Sequence, residues 1–330
     1  MIVGAALALR SITMKRRGGV PVTPVSPAGV KMADQGRTRI VVNPSGGGGS
    51  AGQRVAVIKT LLDEAWPQAD WQTSRSAQHL TDLCHEAAAA QFARVVVAGG
   101  DGTIHHAVRG LANTPTALGI IPSGTGNDFA GAAGIPVDPV AAARMLSTCS
   151  ALPVDLGAVG DVPFCCVAGI GMDTPALQYI NRSRIRSRKL LYKIAAIRTL
   201  LHYVPCELGI EVNGEVIQDR VVFAAFSNTP TYAGGVPVVP RASIFDGKLD
   251  YCVFLDQPLV QRAMTFMYMK RGRHLGRPGV RSGVANAVRI DSATPVPITL
   301  DGELTSLATP TDIRLLPGAL QLICPGPAQR

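Results

Sequence analysis

Two short glycine-rich segments, each placed directly after an apolar run, constrain this chain more than any other feature. The first is Gly-Gly-Asp-Gly-Thr at residues 99–103, which follows the run at 94–98. The second is Pro-Ser-Gly-Thr-Gly-Asn-Asp-Phe-Ala at residues 122–130, which follows the run at 117–121. After the first segment, apolar residues recur at the spacing of a helix. This alternation of strand, glycine loop and helix predicts a parallel α/β layer.

A third apolar run, at residues 39–42, ends in Asn-Pro-Ser and four glycines. Ligands of parallel α/β sheets bind beyond the carboxyl ends of the strands, where all three loops are expected. Glycines let backbone N–H groups approach a phosphate, and a helix N-terminus attracts it. Asp101 would repel phosphate unless it acts through Mg²⁺ or a hydrogen-bond network, so it is a candidate functional residue. The alternative is a tight turn in which Asp101 caps the helix.

The sequence changes in character near residue 151. Residues 37–150 form the predicted α/β domain, whose loops lack both the Walker A pattern and a dinucleotide fingerprint. Residues 151–316 contain short β-branched runs bounded by turns, which predict a β-rich second domain built as an antiparallel sheet or sandwich. Within it, residues 175–203 are predicted to be helical. We expect residues 317–330 to return to the first domain.

The first 36 residues hold five Lys and Arg and one acid in a Pro- and Gly-rich context. Their basic residues follow the short apolar stretch instead of preceding it, which is not the order of a signal peptide. We expect residues 1–36 to be disordered or a non-native extension, with Met32 as a candidate start. Seven scattered cysteines without metal-ligand spacing predict reduced thiols in a cytoplasmic protein. No apolar run of the sequence reaches the roughly 18 residues that span a bilayer.

The two glycine segments together resemble the diacylglycerol kinase catalytic-domain family, which includes bacterial lipid kinases, sphingosine kinases and ceramide kinases. The resemblance continues through residues 154–157, 168–173, 240–250 and 301–303 and spans roughly residues 38–325. It implies a parallel nucleotide-binding domain like that of NAD kinases and lipid kinases, with a sandwich-like second domain. It also implies an enzyme that transfers the γ-phosphate of MgATP to a hydroxyl of diacylglycerol or a related lipid.

The glycine loops and the resemblance together give a predicted set of ATP-binding residues. These are Asn43, Pro44, Ser45, Gly46, Gly47, Thr73, Gly99, Gly100, Asp101, Gly102, Thr103, Ile104, His105, His106, Ser123, Gly124, Thr125, Asn127 and Asp128. Two features depart from the family pattern. The loop at residues 43–50, which we call the first loop, lacks the usual nearby lysine, and Arg54 is a candidate substitute for it. The second departure is His105-His106, which stand where the family has Asn-Glu.

The resemblance implies that the turn Asp301-Gly302-Glu303 supplies the base that activates the lipid hydroxyl. Phosphoryl transfer needs charge neutralisation at the β/γ-phosphates and an acceptor for the hydroxyl proton. Asp101, acting through Mg²⁺, is the candidate for the first role, and Asp301 or Glu303 for the second. Asp-Gly is also the commonest hairpin signal, so an ordinary turn is the alternative for Asp301.

A second, structural Mg²⁺ site is implied at residues 243–248. There the Asp246 side chain would join main-chain oxygens of Ser243 and Lys248. Because Asp246 is also followed by glycine, an ordinary turn is again the alternative.

Two segments are strongly basic. Residues 174–206 hold seven Lys and Arg and no acid, and residues 270–281 hold five more after the apolar stretch 264–269. They predict contact with an anionic membrane surface and a peripheral membrane location; a solvated helix face is the alternative. No nucleic-acid-binding motif accompanies the charge, so nucleic acid is not an expected partner. The resemblance also implies a homodimer.

Two competing functions remain open at this point. One is a kinase with a soluble acceptor, such as an NAD kinase, against which the second glycine segment and the basic patches argue. The other is a nucleotide-binding membrane regulator that has lost turnover. The altered residues 46–49 and His106 keep that second alternative open.

Overall fold

The computed structural model describes residues 36–43, 52–183, 185 and 188–327. Apart from residue 36, the predicted N-terminal extension lies outside the described residues. The glycines of the first loop, within residues 44–51, lie outside them as well.

The strands of the described residues form one connected sheet of fifteen. In chain order they are β1 (Thr38–Val42), β2 (Asp70–Thr73), β3 (Arg94–Gly99), β4 (Ala117–Pro122), β5 (Ala151–Val159), β6 (Val162–Phe164), β7 (Val167–Gly171), β8 (Cys206–Val212), β9 (Glu215–Ser227), β10 (Leu249–Leu255), β11 (Val280–Ala285), β12 (Ala287–Asp291), β13 (Pro297–Leu300), β14 (Glu303–Ala308) and β15 (Thr311–Ile323).

Eight helices accompany these strands in the described chain. They are α1 (Gly52–Ala65), α2 (Ala77–Ala89), α3 (Asp101–Leu111), α4 (Asp128–Ala132), α5 (Pro139–Leu146), α6 (Asp173–Arg182), α7 (Arg188–His202) and α8 (Leu259–Met269). No helix within the described ranges is long and apolar enough to cross a membrane.

The first half of the chain is a parallel layer in the order β2-β1-β3-β4. All six residues of β4 are buried, as are five of the six in β3, which explains their continuous apolar sequences. Helices α2 and α3 cover the layer with their apolar faces, burying Leu80, Leu83, Val108 and Leu111 among others. The parallel α/β prediction is confirmed.

The second half is antiparallel. Strand β9 pairs with β7, β8 and β10, while β13 joins β7 to β14. A second hydrophobic core lies here, around the fully buried Phe164, Phe226 and Leu208. The prediction of a β-rich second half is confirmed.

Strand β15 joins the two halves. It pairs antiparallel with β12 and β5, and near its end Leu322 lies beside Leu118 of β4 in the parallel sense. One sheet therefore runs from the parallel layer into the antiparallel half.

Two predicted elements are divided in the structure. The predicted helix 175–203 is two helices, because Ser183 leaves the helical conformation with φ −80° and ψ 142° at the end of α6. The apolar run at residues 163–171, one of the short runs that predict strands in the second half, is interrupted between β6 and β7. There the amides of Cys165 and Cys166 donate to the Asp301 carboxylate instead of to a neighbouring strand.

Candidate active site

The carboxyl ends of the parallel strands lie at one edge of the sheet. Val42, the last residue of β1, is beside Thr73 of β2 and Ala98 of β3. Gly99 is in turn beside Pro122 at the end of β4. The strand ends that precede the three glycine segments therefore lie side by side, as expected for a ligand site in this class of fold.

The loop at residues 99–103 and the loop at residues 122–130, which we call the second glycine loop, touch each other through glycines. A Cβ atom built on Gly100 would lie 2.9 Å from Cα of Gly124, and one built on Gly124 would lie 2.6 Å from Cα of Gly100. The amide of Ser123 also donates to the carbonyl of Gly99 at 3.0 Å. Since real Cβ contacts are not this short, the two loops form one surface only if both positions are glycine.

The N-terminus of α3 opens on this surface. Its N-cap residue, Gly100, provides no side-chain cap, so the first amides of the helix have no side-chain acceptor from that residue. Nearby, Asn43 Nδ2 donates to Thr103 Oγ1 at 3.2 Å, and Ser123 Oγ is buried without a hydrogen-bond partner among the described residues. Helix amides without an N-cap side chain, a helix dipole and a buried hydroxyl are together suited to a phosphate group.

Asp101 connects the two loops. Its Oδ2 accepts a hydrogen bond from the amide of Asn127 at 2.7 Å. Burial, and secondarily the neighbouring Asp128, raise the pKa of the Asp101 carboxyl, while the amides at the start of α4 partly offset that rise. Asp101 therefore holds the start of α4 in place and brings a second carboxylate close to its own.

Asn127 and Asp128 organise the remainder of the second loop. Asn127 has a left-handed backbone, and its side chain donates to the carbonyl and accepts from the amide of Gly124, each at 3.0 Å. Asp128 is 6% exposed, and its carboxylate accepts hydrogen bonds from residues 231–235 of the second half. The loop is therefore preorganised by its own side chains and joined to the antiparallel half.

The carboxylate of Asp301 is buried and fully hydrogen-bonded. Its Oδ1 accepts from the amides of Cys166 and Val167 at 2.7 and 2.9 Å. Its Oδ2 accepts from the amide of Cys165 at 2.9 Å and lies 2.8 Å from Nδ1 of His105. Burial alone would raise the pKa of Asp301, but these hydrogen bonds and the neighbouring imidazole hold the pKa below its ordinary value.

The cluster around Asp301 is also the one group in the described chain where three or more His, Cys, Asp or Glu ligand atoms lie within 4.8 Å of one another. It consists of Cys165, Cys166 and Asp301. Burial raises the pKa of the Cys165 thiol, so that group is not a ready thiolate ligand. All seven cysteines of the chain are free thiols.

Glu303 is the carboxylate of this turn that reaches the glycine loops. A Cβ built on Gly102 would lie 2.8 Å from Glu303 Oε1, so the carboxylate lies over the first turn of α3. The residue is exposed, unlike Asp301. Partial desolvation raises the pKa of Glu303, His105 lowers it, and the charge of Asp301 raises it.

The other predicted ATP residues lie in different surroundings. Thr73 and Thr125 are exposed at the sheet edge, whereas Ile104 packs in the core. His106 is half-buried, its Nδ1 has no partner among the described residues, and burial lowers its pKa to about 4. Four predicted residues of the first loop lie outside the described residues: Pro44, Ser45, Gly46 and Gly47.

The predicted structural metal turn, at residues 243–248, directly precedes β10. Asp246 is exposed and accepts from the amide of Lys248 at 3.2 Å, while Ser243 Oγ accepts from the amide of Phe245 at 3.3 Å. Burial, followed by the charge of Asp246, raises the pKa of Asp250 to about 6. Carboxylate oxygens such as those of Asp246 and Asp250 are hard donors of the kind that Mg²⁺ prefers.

Beside the Asp301 turn lies a polar cluster around Asp173 to which the sequence analysis gave no role. Asp173 Oδ2 accepts from Tyr232 Oη at 2.9 Å and from Thr299 Oγ1 at 3.2 Å. Burial raises the pKa of Asp173 to about 6. Asp173 could have been found from the sequence, because it opens a helix directly after a strand that ends in glycine. No such pattern marks Tyr232.

Comparison with known proteins gives a consistent result. The sequence-family model of the diacylglycerol kinase catalytic domain matches residues 37–159. The family model of the YegS C-terminal NAD kinase beta sandwich-like domain matches residues 166–324. A diacylglycerol kinase of Bacillus subtilis (strain 168) is 31% identical over 273 residues, which cover 81% of this chain and 89% of the relative. One of Mycobacterium tuberculosis (strain ATCC 25618 / H37Rv) is 32% identical and covers 70% and 76%.

A solved structure shows the same fold. It is a Bacillus anthracis str. Sterne protein, described as a candidate diacylglycerol kinase, with a TM-score of 0.75 and 27% identity. The match covers 87% of this chain and 96% of that one. Fold and site together define a lipid kinase. The chain belongs to the diacylglycerol kinase family.

Proposed function

We propose that this lipid kinase transfers the γ-phosphate of ATP to a hydroxyl group of diacylglycerol or a closely related membrane lipid. One observation carries the proposal: the exposed carboxylate of Glu303 lies over the first turn of α3, beside the two interlocked glycine loops. A proton acceptor and a phosphate site are therefore adjacent. Phosphoryl transfer requires that arrangement.

The nucleotide occupies the edge formed by the glycine loops. Its phosphates lie against the amides at the start of α3, with Thr103 and Ser123 as hydroxyl contacts. The carboxylates of Asp101 and Asp128 lie close enough for the charge of one to raise the pKa of the other. Such a pair fits the coordination preference of Mg²⁺, which when bound with ATP supplies neutralisation of phosphate charge.

Glu303 accepts the proton of the lipid hydroxyl in this proposal. A carboxylate with a raised pKa is a better base than an ordinary one, and Glu303 is accessible. Asp301, whose oxygens already accept from three amides, positions the turn together with His105. The role of Asp301 as the proton acceptor itself stays a prediction from the family resemblance.

The substrate reaches the enzyme at a membrane surface. Residues 174–206 and 257–290 contain 14 of the 32 Lys and Arg of the chain and none of its 23 Asp and Glu. These segments include α7 and α8, which are in contact: Arg262 of α8 donates to the carbonyl of Tyr203 at 3.2 Å. An anionic leaflet attracts such a surface by about 1 kcal/mol for each nearby basic side chain.

Apolar side chains accompany this charge. Each helix buries one stripe, including Leu191 and Ala195 on α7. The outward stripes are apolar as well, with Ile197 at 59% exposure on α7, and Val260 at 72% and Met267 at 62% on α8. We call α7, α8 and residues 203–204 the membrane face. It combines cationic and apolar contacts suited to the anionic headgroup region of a bilayer.

The experiment that tests the function uses the purified chain with labelled ATP and Mg²⁺. The acceptors are diacylglycerol, sphingosine, ceramide and NAD, each offered separately, and the lipids are presented in anionic vesicles. We expect label in the diacylglycerol product. Label in NAD alone would favour a soluble acceptor, and nucleotide binding without any labelled product would favour an inactive regulator.

A homodimer, a cytoplasmic location and the second Mg²⁺ at residues 243–248 stay predictions. The oxygen donors at Asp246 fit a structural ion. Sedimentation of the purified chain tests the dimer, and thermal unfolding with and without Mg²⁺ in Asp246→Ala tests the ion.

A further inference from the structure

A segment between β9 and β10 connects the nucleotide loops to the proton-acceptor turn. We call residues 228–236 the strap. It leaves β9 after Ser227, and Asn228 fixes its start by donating from Nδ2 to the carbonyls of Asp155 and Cys165 at 2.6 and 3.2 Å. Its two further anchors are the carboxylates of Asp128 and Asp173.

The first anchor is Asp128 in the second glycine loop. Its Oδ1 accepts from Thr231 Oγ1 at 2.6 Å and from the amide of Gly235 at 2.9 Å. Its Oδ2 accepts from the amide of Gly234 at 2.9 Å. A Cβ built on Gly126 would lie only 3.2 Å from Cα of Gly234, so the loop and the strap are packed backbone to backbone.

The second anchor is Asp173 at the start of α6. Tyr232, which is 7% exposed, donates from Oη to Asp173 Oδ2 at 2.9 Å. The same hydroxyl oxygen lies 3.6 Å from the position of a Cβ built on Gly302, between Asp301 and Glu303. The ring of Tyr232 therefore packs beside the turn that carries the proposed proton acceptor.

The strap has an unfavourable backbone that needs such anchors. Ala233, Gly234 and Gly235 all have positive φ, at 54°, 84° and 90°. A run of left-handed residues that includes alanine persists only where surrounding contacts over-determine it. The three hydrogen bonds to Asp128 supply that constraint directly beside Ala233.

We propose that Asp128 is a positioning residue that acts through the strap: by fixing residues 231–235 it places Tyr232 against the Asp301–Glu303 turn. The second glycine loop and the acceptor side of the site are thereby mechanically coupled. This inference rests on the proposed function, since it concerns where the acceptor hydroxyl meets its base. It assigns the Asp128 carboxylate to the strap in addition to its proximity to the nucleotide.

The test uses Thr231, which lies outside the nucleotide loops. Thr231→Val removes the hydroxyl that donates to Asp128, whereas Thr231→Ser retains it. With short-chain diacylglycerol in mixed vesicles, we expect Thr231→Val to lower kcat or raise the KM for the lipid several-fold while the KM for ATP stays within about twofold. Thr231→Ser restores the wild-type values. Equal effects of both variants, or a matching rise in the KM for ATP, would overturn the proposal.

A double-mutant cycle makes the coupling measurable without turnover. Asp128→Ala and Thr231→Val each remove the hydrogen bond between these two side chains. Hydrogen exchange at residues 231–236 should therefore accelerate by less in the double variant than the two single effects combined predict. Additive effects would refute the coupling. If the wild-type chain phosphorylates no lipid, the proposed function fails, and this cycle still decides whether Asp128 fixes the strap.

Discussion

At the scale of single residues, two carboxylates of one turn have opposite environments. Asp301 is buried and accepts from three amides and His105, whereas Glu303 is exposed above Gly102. Because both oxygens of Asp301 are occupied, its charge is held by the backbone of residues 165–167. The geometry thus separates a group that shapes the turn from a group that can meet a substrate.

Substitution of these two residues should have different consequences. Glu303→Gln should lower kcat by about 10²- to 10⁴-fold, the usual contribution of a positioned base, with little change in stability. Asp301→Asn places an NH₂ group against amide donors, so we expect activity to fall and the free energy of unfolding to drop by about 1–3 kcal/mol or more. Steady-state kinetics and urea unfolding of both variants check this. Unchanged turnover in Glu303→Gln would exclude it as the base.

His106 should make the protein sensitive to acid. Burial lowers the pKa of His106 to about 4, below its ordinary value of 6.5. Between these values the unfolded chain binds a proton that the folded chain does not, so the free energy of unfolding falls as pH drops from 6.5 to 4. Because the ring is partly exposed, we expect a contribution on the order of 1 kcal/mol.

His106→Gln removes this titration and is the matched comparison. The difference in unfolding free energy between wild type and variant should change between pH 6.5 and pH 4 and stay flat above pH 7. Urea unfolding at several pH values measures it. A difference that does not vary with pH would contradict the assignment.

Only part of this residue-scale detail could be predicted from the sequence. The family motifs pointed to Asp301, but Asp-Gly alone could not be told from an ordinary hairpin turn. The donors to its carboxylate lie 134 to 196 positions away along the chain, and no local pattern encodes such contacts. Tyr232 was missed for the same reason, since its partner Asp173 is 59 positions away.

At the scale of elements, the loops at residues 99–103 and 122–130 are held in close backbone contact. Gly100→Ala would place a methyl group 2.9 Å from the backbone of Gly124. We expect the loops to separate and affinity for ATP to fall at least about tenfold, because close-packed backbone cannot yield as a flexible side chain does.

Gly131→Ala in α4 is the control for that variant. A Cβ at Gly131 would meet nothing within 4 Å, and alanine is the better helix former by about 1 kcal/mol at most. Calorimetric titration with a non-hydrolysable ATP analogue compares the two. Similar affinities for the analogue in both would show that loop contact is not needed for binding.

Elements whose apolar residues are regularly spaced or form a continuous run were predicted well. Elements that form only through contacts with distant parts of the chain were not. The predicted strand at the apolar run 117–121 lies within β4, since a fully buried parallel strand has a continuous apolar sequence. Strand β14 was not predicted: its burial pattern is mostly exposed and intermediate, so it has little apolar sequence to recognise. The break between α6 and α7 was not predicted either, because the basic stretch between them has no Pro or Gly to mark a helix end.

At the scale of the whole molecule, charge is unevenly distributed along the chain. Outside residues 174–206 and 257–290 the chain has 18 Lys and Arg against its 23 Asp and Glu, so the net charge of +9 comes from these two segments. A chain whose excess charge is concentrated around an exposed apolar face is suited to bind one side to an anionic surface.

The membrane face can be tested with two kinds of variant. Ile197→Ser with Met267→Ser should weaken binding to vesicles by about tenfold through lost apolar contact. Lys193→Gln with Lys270→Gln should weaken binding to anionic vesicles by roughly 10- to 30-fold and leave neutral vesicles unaffected. Flotation with neutral and anionic lipid measures both.

Val216→Ser is the matched control, because Val216 is 65% exposed but lies on β9, outside the membrane face. Its vesicle binding should equal that of the wild type. Equal loss in the control and in the Ile197 variant would mean that general surface hydrophobicity, and not this face, governs the interaction.

The position of β15 also bears on how the molecule is made. The strand that borders β4 begins at Thr311, nearly two hundred positions later in the chain. During synthesis on the ribosome, the parallel layer therefore emerges with its edge at β4 still unpaired, and an unpaired strand edge is a template for wrong pairing. We expect the nascent first half to depend on chaperones until β15 has been translated. A chain that ends before residue 311 should likewise regain its fold when residues 311–327 are expressed beside it as a separate segment.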